Sequence, residues 1–531
     1  MAGNRRVAGG SRTAAANVRA APRPRRKPRA KGNKPVTVRH YCQGIGDCHL
    51  LKFKKDDGSD YWMLIDCGVH SSVSGGSKKI AEIVEDIASV TGRLDVLVVT
   101  HEHWDHVSGF FTAAERFKDL EVGEVWMAWT ENPADPQARD LDKFKQRALA
   151  ALQMTSARLN GASGLSRHLS ALRTGLDSVV GFNFGARGEK VRAARDAAAA
   201  LLEKGKNGKK GKIPRYFEPN HAPITIDRLP LRIYVLGPPR DPKLLGLTER
   251  TGEMYSVGSG SDSPIARAMS SAFRMGDGVQ PPGEDCSAPF DPNLGTELSS
   301  LLDPSAKPAD GKSDEIVDFV RDHYAGPAKV GAPSGDTSKP KKPDPNETDQ
   351  SWRRIDLDWM GVSADLAMQL DDRTNNTSLA LAFEFVDTGR VLLFVGDAQV
   401  GNWKSWQDLK WIVDGKTVTG PDLLARTVYY KVGHHGSHNA TLKEKGLELM
   451  TSKDLSSFIP TNEKDAKKVG WGAMPFKSIL EELRKRGSGR VIRADDEWIA
   501  TDTVDPSLKI PSGSIRALRH KSGLFVEVDV A

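Results

Sequence analysis

LDVLVVTHEHWDHVSGF, residues 94–110, decides how the rest of the chain is read. Its first seven residues are apolar and β-branched enough for a buried strand, and the run then stops abruptly in His101, Glu102, His103, Trp104, Asp105 and His106. Alternate side chains of an extended segment share a face, so His101 and His103 reach one point while Asp105 and His106 turn toward a second. Imidazole and carboxylate together are the ligand set of zinc, iron or manganese. A matching feature lies far along the chain, where ARTVYYKVGHHGSH (425–438) reads as another strand running into His434, His435 and His438. Six of the 13 histidines thus fall at two strand ends.

Around the first cluster the patterning alternates between strand and helix. VTVRHYC (36–42), CHLLKF (48–53) and YWMLIDCG (61–68) read as strands, the last two joined by the turn-forming KDDGSD. Between Ser77 and Val90, the positions Ile80, Ile83, Val84, Ile87 and Val90 recur at helical spacing, and EVWMAW (124–129) is a further strand. This order predicts an α/β fold. Residues 137–215, rich in Ala, Leu and Arg, read as a helical insertion that includes the basic loop 205–212. Residues 245–370 read as a second insertion, of which 326–350 has the composition of a linker that is dispensable for chemistry. LRIYVLGPP (231–239), SLALAFEF (378–385) and RVLLFVGDA (390–398) are strands, the last two joined by the hairpin signal VDTG. Near the end come a helix, FKSILEELRKR (476–486), and short strands in RVIRAD and GLFVEVDV.

THEHWDH resembles the HxHxDH signature of the metallo-β-lactamase fold, an αβ/βα four-layer sandwich whose metals lie at strand ends between two sheets. LIDCG (64–68) resembles that family's early Asp-bearing strand, VGDA (395–398) its later strand with a metal-bridging Asp, and KVGHHGSH (431–438) its final His loop. The set CQGIGDCHLLKF, LIDCG, NNTSLAL, FVGDA and KVGHHGS is similar to the hydrolase domain of the competence protein ComEC and its soluble relatives. The resemblance implies His101 and His103 on a first metal, Asp105 and His106 on a second, and Asp397 bridging them. His434 is the implied final ligand, with His435 the alternative, and Asp66 is implied to hydrogen-bond a ligand histidine from outside the coordination sphere. Where most family members carry a further histidine, this chain has Asn375-Asn376-Thr377-Ser378, so Asn376 or a water completes the first site; His168, His221 and His323 are the substitutes considered.

These ligands imply one or two Zn2+ ions, with Mn2+ the alternative, and a metal-bridging hydroxide as nucleophile. Asp105 belongs to that catalytic centre, and His435 or His438, whichever is not a ligand, is expected to protonate a leaving alkoxide or clamp a phosphate oxygen. Lys431 is a second candidate for that work, its bland reading being an exposed strand residue; Trp104 reads as packing rather than as a platform for substrate. The function expected is hydrolysis of phosphodiesters, most naturally nucleic acid. Hydrolysis of a lactam, lactone or thioester, and a non-catalytic nucleic-acid-binding protein on a degenerate scaffold, are the rivals.

Composition limits the remaining classes. The net charge of +7 resides in residues 1–38, which hold eleven Lys or Arg and no acid; outside them 65 basic residues face 69 acidic ones. Such a tail buries too little surface to order itself; it reads either as a segment that holds a phosphate-bearing polymer by counterion release or as a solubilising extension, with an Arg-rich, acid-poor transit peptide as a third reading. No signal peptide or membrane helix is expected, which reads as a cytoplasmic protein without a membrane partner. Four cysteines (Cys42, Cys48, Cys67, Cys286) without a CxxC pair read as reduced core residues. The expected organisation is a tail at 1–38, a hydrolase domain at 39–445 with insertions at about 137–215 and 245–370, and a segment at 446–531 that completes the fold.

Overall fold

The computed structural model describes residues 35–161, 189–202, 213–247, 254, 370, 372–468, 474–501, 510 and 513–531. Two sheets carry the architecture. The first has eight strands: β1 (Val36–Tyr41), β2 (Cys48–Lys54), β3 (Asp60–Cys67), β4 (Arg93–Val99), β5 (Glu121–Ala128), β6 (Arg215–Phe217), β16 (Ile515–Lys521) and β17 (Phe525–Val530), in the order β16-β17-β1-β2-β3-β4-β5-β6. The second has seven: β7 (Ile224–Ile226), β8 (Leu229–Gly237), β9 (Ala380–Phe385), β10 (Val391–Phe394), β13 (Thr427–Lys431), β14 (Ser456–Ile459) and β15 (Val491–Arg493), in the order β15-β14-β13-β10-β9-β8-β7. A separate hairpin pairs β11 (Lys410–Val413) with β12 (Lys416–Thr419).

Three buried apolar clusters define the layers. One lies between the sheets, with Val38, Leu51, Met63 and Val98 from the first meeting Ile233, Phe383, Phe394 and Tyr429 from the second. Another joins the opposite face of the first sheet (Leu50, Leu64, Leu97, Val99) to α1 (Gly76–Val90) through Ile80, Ile83 and Ile87 and to α2 (Trp104–Thr112) through Val107 and Phe110. The third joins the second sheet (Tyr234, Ala382, Leu393, Tyr430) to helices that carry Trp403, Leu423, Ile479 and Leu483. Helices, sheet, sheet, helices is the mixed α/β arrangement consistent with a metallo-β-lactamase fold. β4 feeds both neighbouring layers because alternate residues leave opposite faces, and each such fully buried aliphatic side chain contributes roughly 1.5–3 kcal/mol.

Several expected boundaries shift. The basic tail does not extend to residue 38, because Val36, Thr37 and Val38 already pair with Val530, Asp529 and Val528 of β17 and are ordered by that ladder. The first insertion supplies α4 (Pro136–Gly161) and, after α3 (Ala114–Phe117) in chain order, α5 (Glu189–Ala200), whose Val191, Ala194 and Ala198 join the outer core beside α1 and α2. Arg215, placed in that insertion by composition, instead starts β6 and pairs with Trp126 of β5. The segment after residue 446 adds β14 and β15 to one sheet and β16 and β17 to the other. Residues 1–34, the loop 205–212, the stretch 326–350, His168, His323 and Cys286 lie outside the described residues. Cys42, Cys48 and Cys67 are free thiols; Cys48 and Cys67 are buried and face each other across β2 and β3, while Cys42 is half-buried. No helix among the described residues is long and apolar enough to cross a membrane.

Candidate metal centre

In both sheets the strands that run parallel, β3 with β4 and β10 with β13, end on the same side, and the chemistry-bearing residues follow those ends directly. Asp66 closes β3, His101 follows β4, Asp397 follows β10, and His434 and His435 follow β13. Carboxyl ends of parallel strands are where open α/β sheets bind ligands.

Close backbone approach draws these loops together. Gly68 lies against the Asp105–His106 peptide so tightly that a Cβ there would collide with the Asp105 carbonyl, and Gly46, at φ +137, is packed against the same carbonyl. The Asp47 amide then donates to the Asp105 carbonyl at 3.0 Å, and Gly68 N–H donates to the Asp47 carbonyl at 3.0 Å. Asp66 adopts left-handed backbone (φ 55), as do His434 (φ 43) and His435 (φ 53). Non-glycine residues in that region cost of order 1–3 kcal/mol each and concentrate at functional sites. Here the strained positions lie at two strand ends, after β3 and after β13, and bring Asp66 and His435 to the centre.

Three groups of ligand atoms lie within 4.8 Å of one another: His101, His106 and Asp397; Asp105, Asp397 and His435; and Asp47, Asp66 and His106. Asp397 belongs to the first two. His106 Nδ1 lies 2.8 Å from Asp66 Oδ2, and Asp66 also accepts from Thr100 N (2.8 Å) and Thr100 Oγ1 (2.6 Å). With Nδ1 committed to Asp66, Nε2 of His106 faces Asp397 Oδ2 at 3.1 Å, buried and without hydrogen-bond geometry. A buried ring nitrogen without hydrogen-bond geometry, set beside a carboxylate and next to a further imidazole, is a donor set that fits a metal ion. His101 Nε2 and His103 Nδ1 converge at 3.1 Å, and Ser378 Oγ, 3.2 Å from His101 Nδ1, also accepts the Asp397 amide at 3.0 Å.

The electrostatics agree with that fit. Burial pushes His101 well below the ordinary histidine value, with His106 and His103 adding to the effect, and lowers His103 and His434 to about 4; all three rings are neutral at pH 7. His106 is the opposite case: burial works against its proton, but Asp397, Asp47, Asp105 and Asp66 hold it charged. Asp397, although buried, is held far below the usual carboxylate range by His106 and Lys431. Four carboxylates face two imidazoles biased toward the charged form, His106 and His435, and one ammonium, so the centre is short of positive charge.

The two assignments left open after β13 separate in space. His435 Nε2 lies 3.0 Å from Asp105 Oδ2 while its Nδ1 meets the Pro460 carbonyl at 2.6 Å, so His435, rather than His434, stands in the group with Asp105 and Asp397. His434 gives its backbone N–H to Asp397 Oδ1 (2.9 Å), and its Nδ1 lies 3.1 Å from Gln399 Nε2. His438 is partly exposed with its ring 6.1 Å from Phe476, outside the three groups. Asn376 is turned elsewhere: its amide donates to the Leu247 carbonyl at 2.8 Å and its oxygen accepts from Asn402 N at 3.2 Å. His221 is exposed and pairs with Glu218 at 3.1 Å. Lys431 is buried rather than exposed, and Trp104 is partly exposed beside a cavity of about 200 Å3 that His70 and Ser108 also line. His70 and Asp47, which the sequence reading passed over, both belong to the neighbourhood of the centre; Asp47 carries a signal only in retrospect, as the acid between Gly46 and β2 in GIGDC.

The Metallo-beta-lactamase superfamily is the family whose model matches, over residues 43–144. That stretch carries Asp47, Asp66 and the His101–His106 loop, and it ends before Asp397 and His435, which the second sheet contributes. Over this stretch the chain is similar to the metallo-β-lactamase superfamily, and that similarity, together with buried His and Asp groups that could hold divalent ions, points to a metal-dependent hydrolase. Neither the curated proteins nor the solved structures contain a match to the chain.

Proposed function

We propose that this protein is a two-metal hydrolase of phosphodiesters, with nucleic acid as the substrate class and zinc as the metal, manganese being the alternative. One observation carries the reading: two triads of buried ligand atoms, His101/His106/Asp397 and Asp105/Asp397/His435, share a single carboxylate. Ions held there would supply an activated water and Lewis acidity at both the attacking and the leaving oxygen, which suits in-line displacement at phosphorus. The chain's own residues set the rest. Asp66 fixes the His106 ring through Nδ1, and Pro460 fixes the His435 ring in the same way, so each presents Nε2 to the centre. Gln399 Nε2 donates to Asp372 Oδ1 at 2.9 Å and faces His434 Nδ1, which leaves the proton of a neutral His434 on Nε2. His434, half-buried, is thereby placed to donate a hydrogen bond from Nε2–H to a leaving oxygen, while the proton that oxygen finally takes comes from water. The basic tail would raise the local concentration of a polyanion.

The test is a substrate panel of DNA, RNA, a chromogenic phosphodiester and a β-lactam, run with wild type and Asp105→Ala at saturating Zn2+ and Mn2+. Diester cleavage lost in Asp105→Ala is the expected result. Turnover of the lactam alone would replace this reading with its acyl-transfer rival, and no metal uptake with no turnover would favour a scaffold that only binds.

A further inference from the structure

The third group, Asp47/Asp66/His106, also meets the distance requirement for a metal, but Asp66 and Oδ2 of Asp47 already have donors, and only Oδ1 of Asp47 has none. Asp66 is filled by Thr100 and His106, and Asp47 Oδ2 forms an ion pair with Lys431 Nζ. Lys431 closes β13 with its side chain only 1% exposed, and its ammonium also reaches the Gly396 carbonyl at 3.1 Å and Asp397 Oδ1 at 3.7 Å. Asp47 comes from the loop between β1 and β2 of the first sheet, whereas Asp397 follows β10 of the second. One ammonium therefore links carboxylates from the two sheets.

We propose that Lys431 is a positioning residue of the metal centre, a built-in cation that ties Asp397 to Asp47 and keeps Asp397 Oδ2 turned to the ligand histidines. Oδ1 of Asp397 is held from two sides, by the His434 amide at 2.9 Å and by Lys431, which leaves Oδ2 as the oxygen that faces His106. Asp47 is itself braced. Its Oδ2 lies 3.6 Å from His49 Nε2, His49 Nδ1 meets His40 Nδ1 at 2.9 Å, and His40 Nε2 meets the Tyr429 hydroxyl at 2.7 Å. A single choice of tautomers serves all three contacts: Tyr429 donates to His40, His40 to His49, and His49 Nε2–H points at Asp47. This chain crosses the inter-sheet core and returns to β13, two residues from Lys431.

The inference rests on the metal centre proposed above and not on its substrate. Its test is Zn2+ titration of the full-length protein against a chromophoric chelator, with the Co2+ d–d spectrum as a second readout. Removing Lys431 alone strands a buried carboxylate, so the informative variant is Lys431→Met combined with Asp47→Asn, in which no charge is left unpaired. It is expected to fold with a native circular dichroism spectrum, to bind Zn2+ about 10–100-fold more weakly, and to show a shifted Co2+ spectrum. Asp47→Asn alone keeps the ammonium but loosens its anchor, and should fall between the pair variant and wild type. Wild-type affinity and an unchanged Co2+ spectrum in both would overturn the inference. A wild-type protein that takes up no metal overturns this inference and the centre together; two equivalents bound without diester cleavage defeat only the proposed substrate.

Discussion

Asp397 is the residue through which a single substitution should reach both halves of the centre, because it is the one shared by the His101/His106 and Asp105/His435 groups while its outer oxygen receives the His434 amide. Asp397→Asn keeps the shape and that hydrogen bond, so circular dichroism should stay native while metal content, read by atomic absorption, falls and hydrolysis drops by at least about a hundredfold. Chelation of wild type should give the same loss, reversed by added metal. A different residue governs behaviour in acid. His40, stacked 3.8 Å from Phe458 and fully buried, is held well below the ordinary histidine value by burial, with His49 and Lys431 adding to it. The unfolded chain binds this proton below about pH 6.5 and the folded chain does not, so its share of stability is complete above that pH and is lost as pH falls toward the folded value. The slope is about 1.4 kcal/mol per pH unit for one proton, and urea midpoints of metal-free protein between pH 7 and pH 5 should show it, with a shallower slope in His40→Phe. None of this was legible for His40, since one histidine in an alternating strand carries no pattern, whereas His101, His103 and His106 announce themselves by spacing at a strand end.

Among the elements, the inserted helices do more than decorate. Glu102 sits between His101 and His103 and points outward, where Lys145 of α4 meets it at 2.9 Å and Arg195 of α5 at 3.0 Å; Arg195 also reaches Glu131 at 3.0 Å. All four side chains are largely shielded, so the metal loop is clamped from behind by the insertion. Arg195→Met leaves Glu102 and Glu131 close together with one cation, and should lower stability by about 1–3 kcal/mol in urea titration while speeding metal release to a chelator. Helix α1 was readable because its apolar period matches one buried face, and strands β2 to β5 because they are short apolar runs buried on both faces. The four-residue β14, SSFI, and strand β16, IRALRHK, were not, because their order comes from neighbours in the sheet rather than from their own pattern. The ligand loops were legible as types and in order; which of His434 and His435 enters a triad was not, because left-handed backbone at both residues cancels the alternation that an extended strand would impose.

For the molecule as a whole, charge is distributed unevenly, and the salt dependence of binding should follow it. Deleting residues 1–34, which include all eleven basic residues of the tail, should weaken binding to a DNA duplex and flatten its log–log salt dependence, with turnover at saturating substrate unchanged. An unaltered slope in fluorescence anisotropy would remove nucleic-acid attraction from the tail's account. The pairing of β1 with β17 has a consequence of another kind. Thr37 and Asp529, hydrogen-bonded at 2.7 Å, are 492 residues apart in sequence. As the chain leaves the ribosome at about 5–20 residues per second, β1 waits tens of seconds with one edge bare before its partner exists. The Val36 and Val38 face of that edge is apolar, the kind of surface that recruits strands from other chains. Expression yield should therefore respond to chaperone supply and to translation rate more than native stability would suggest, and the window of risk closes only when residues 525–530 have emerged to pair with β1.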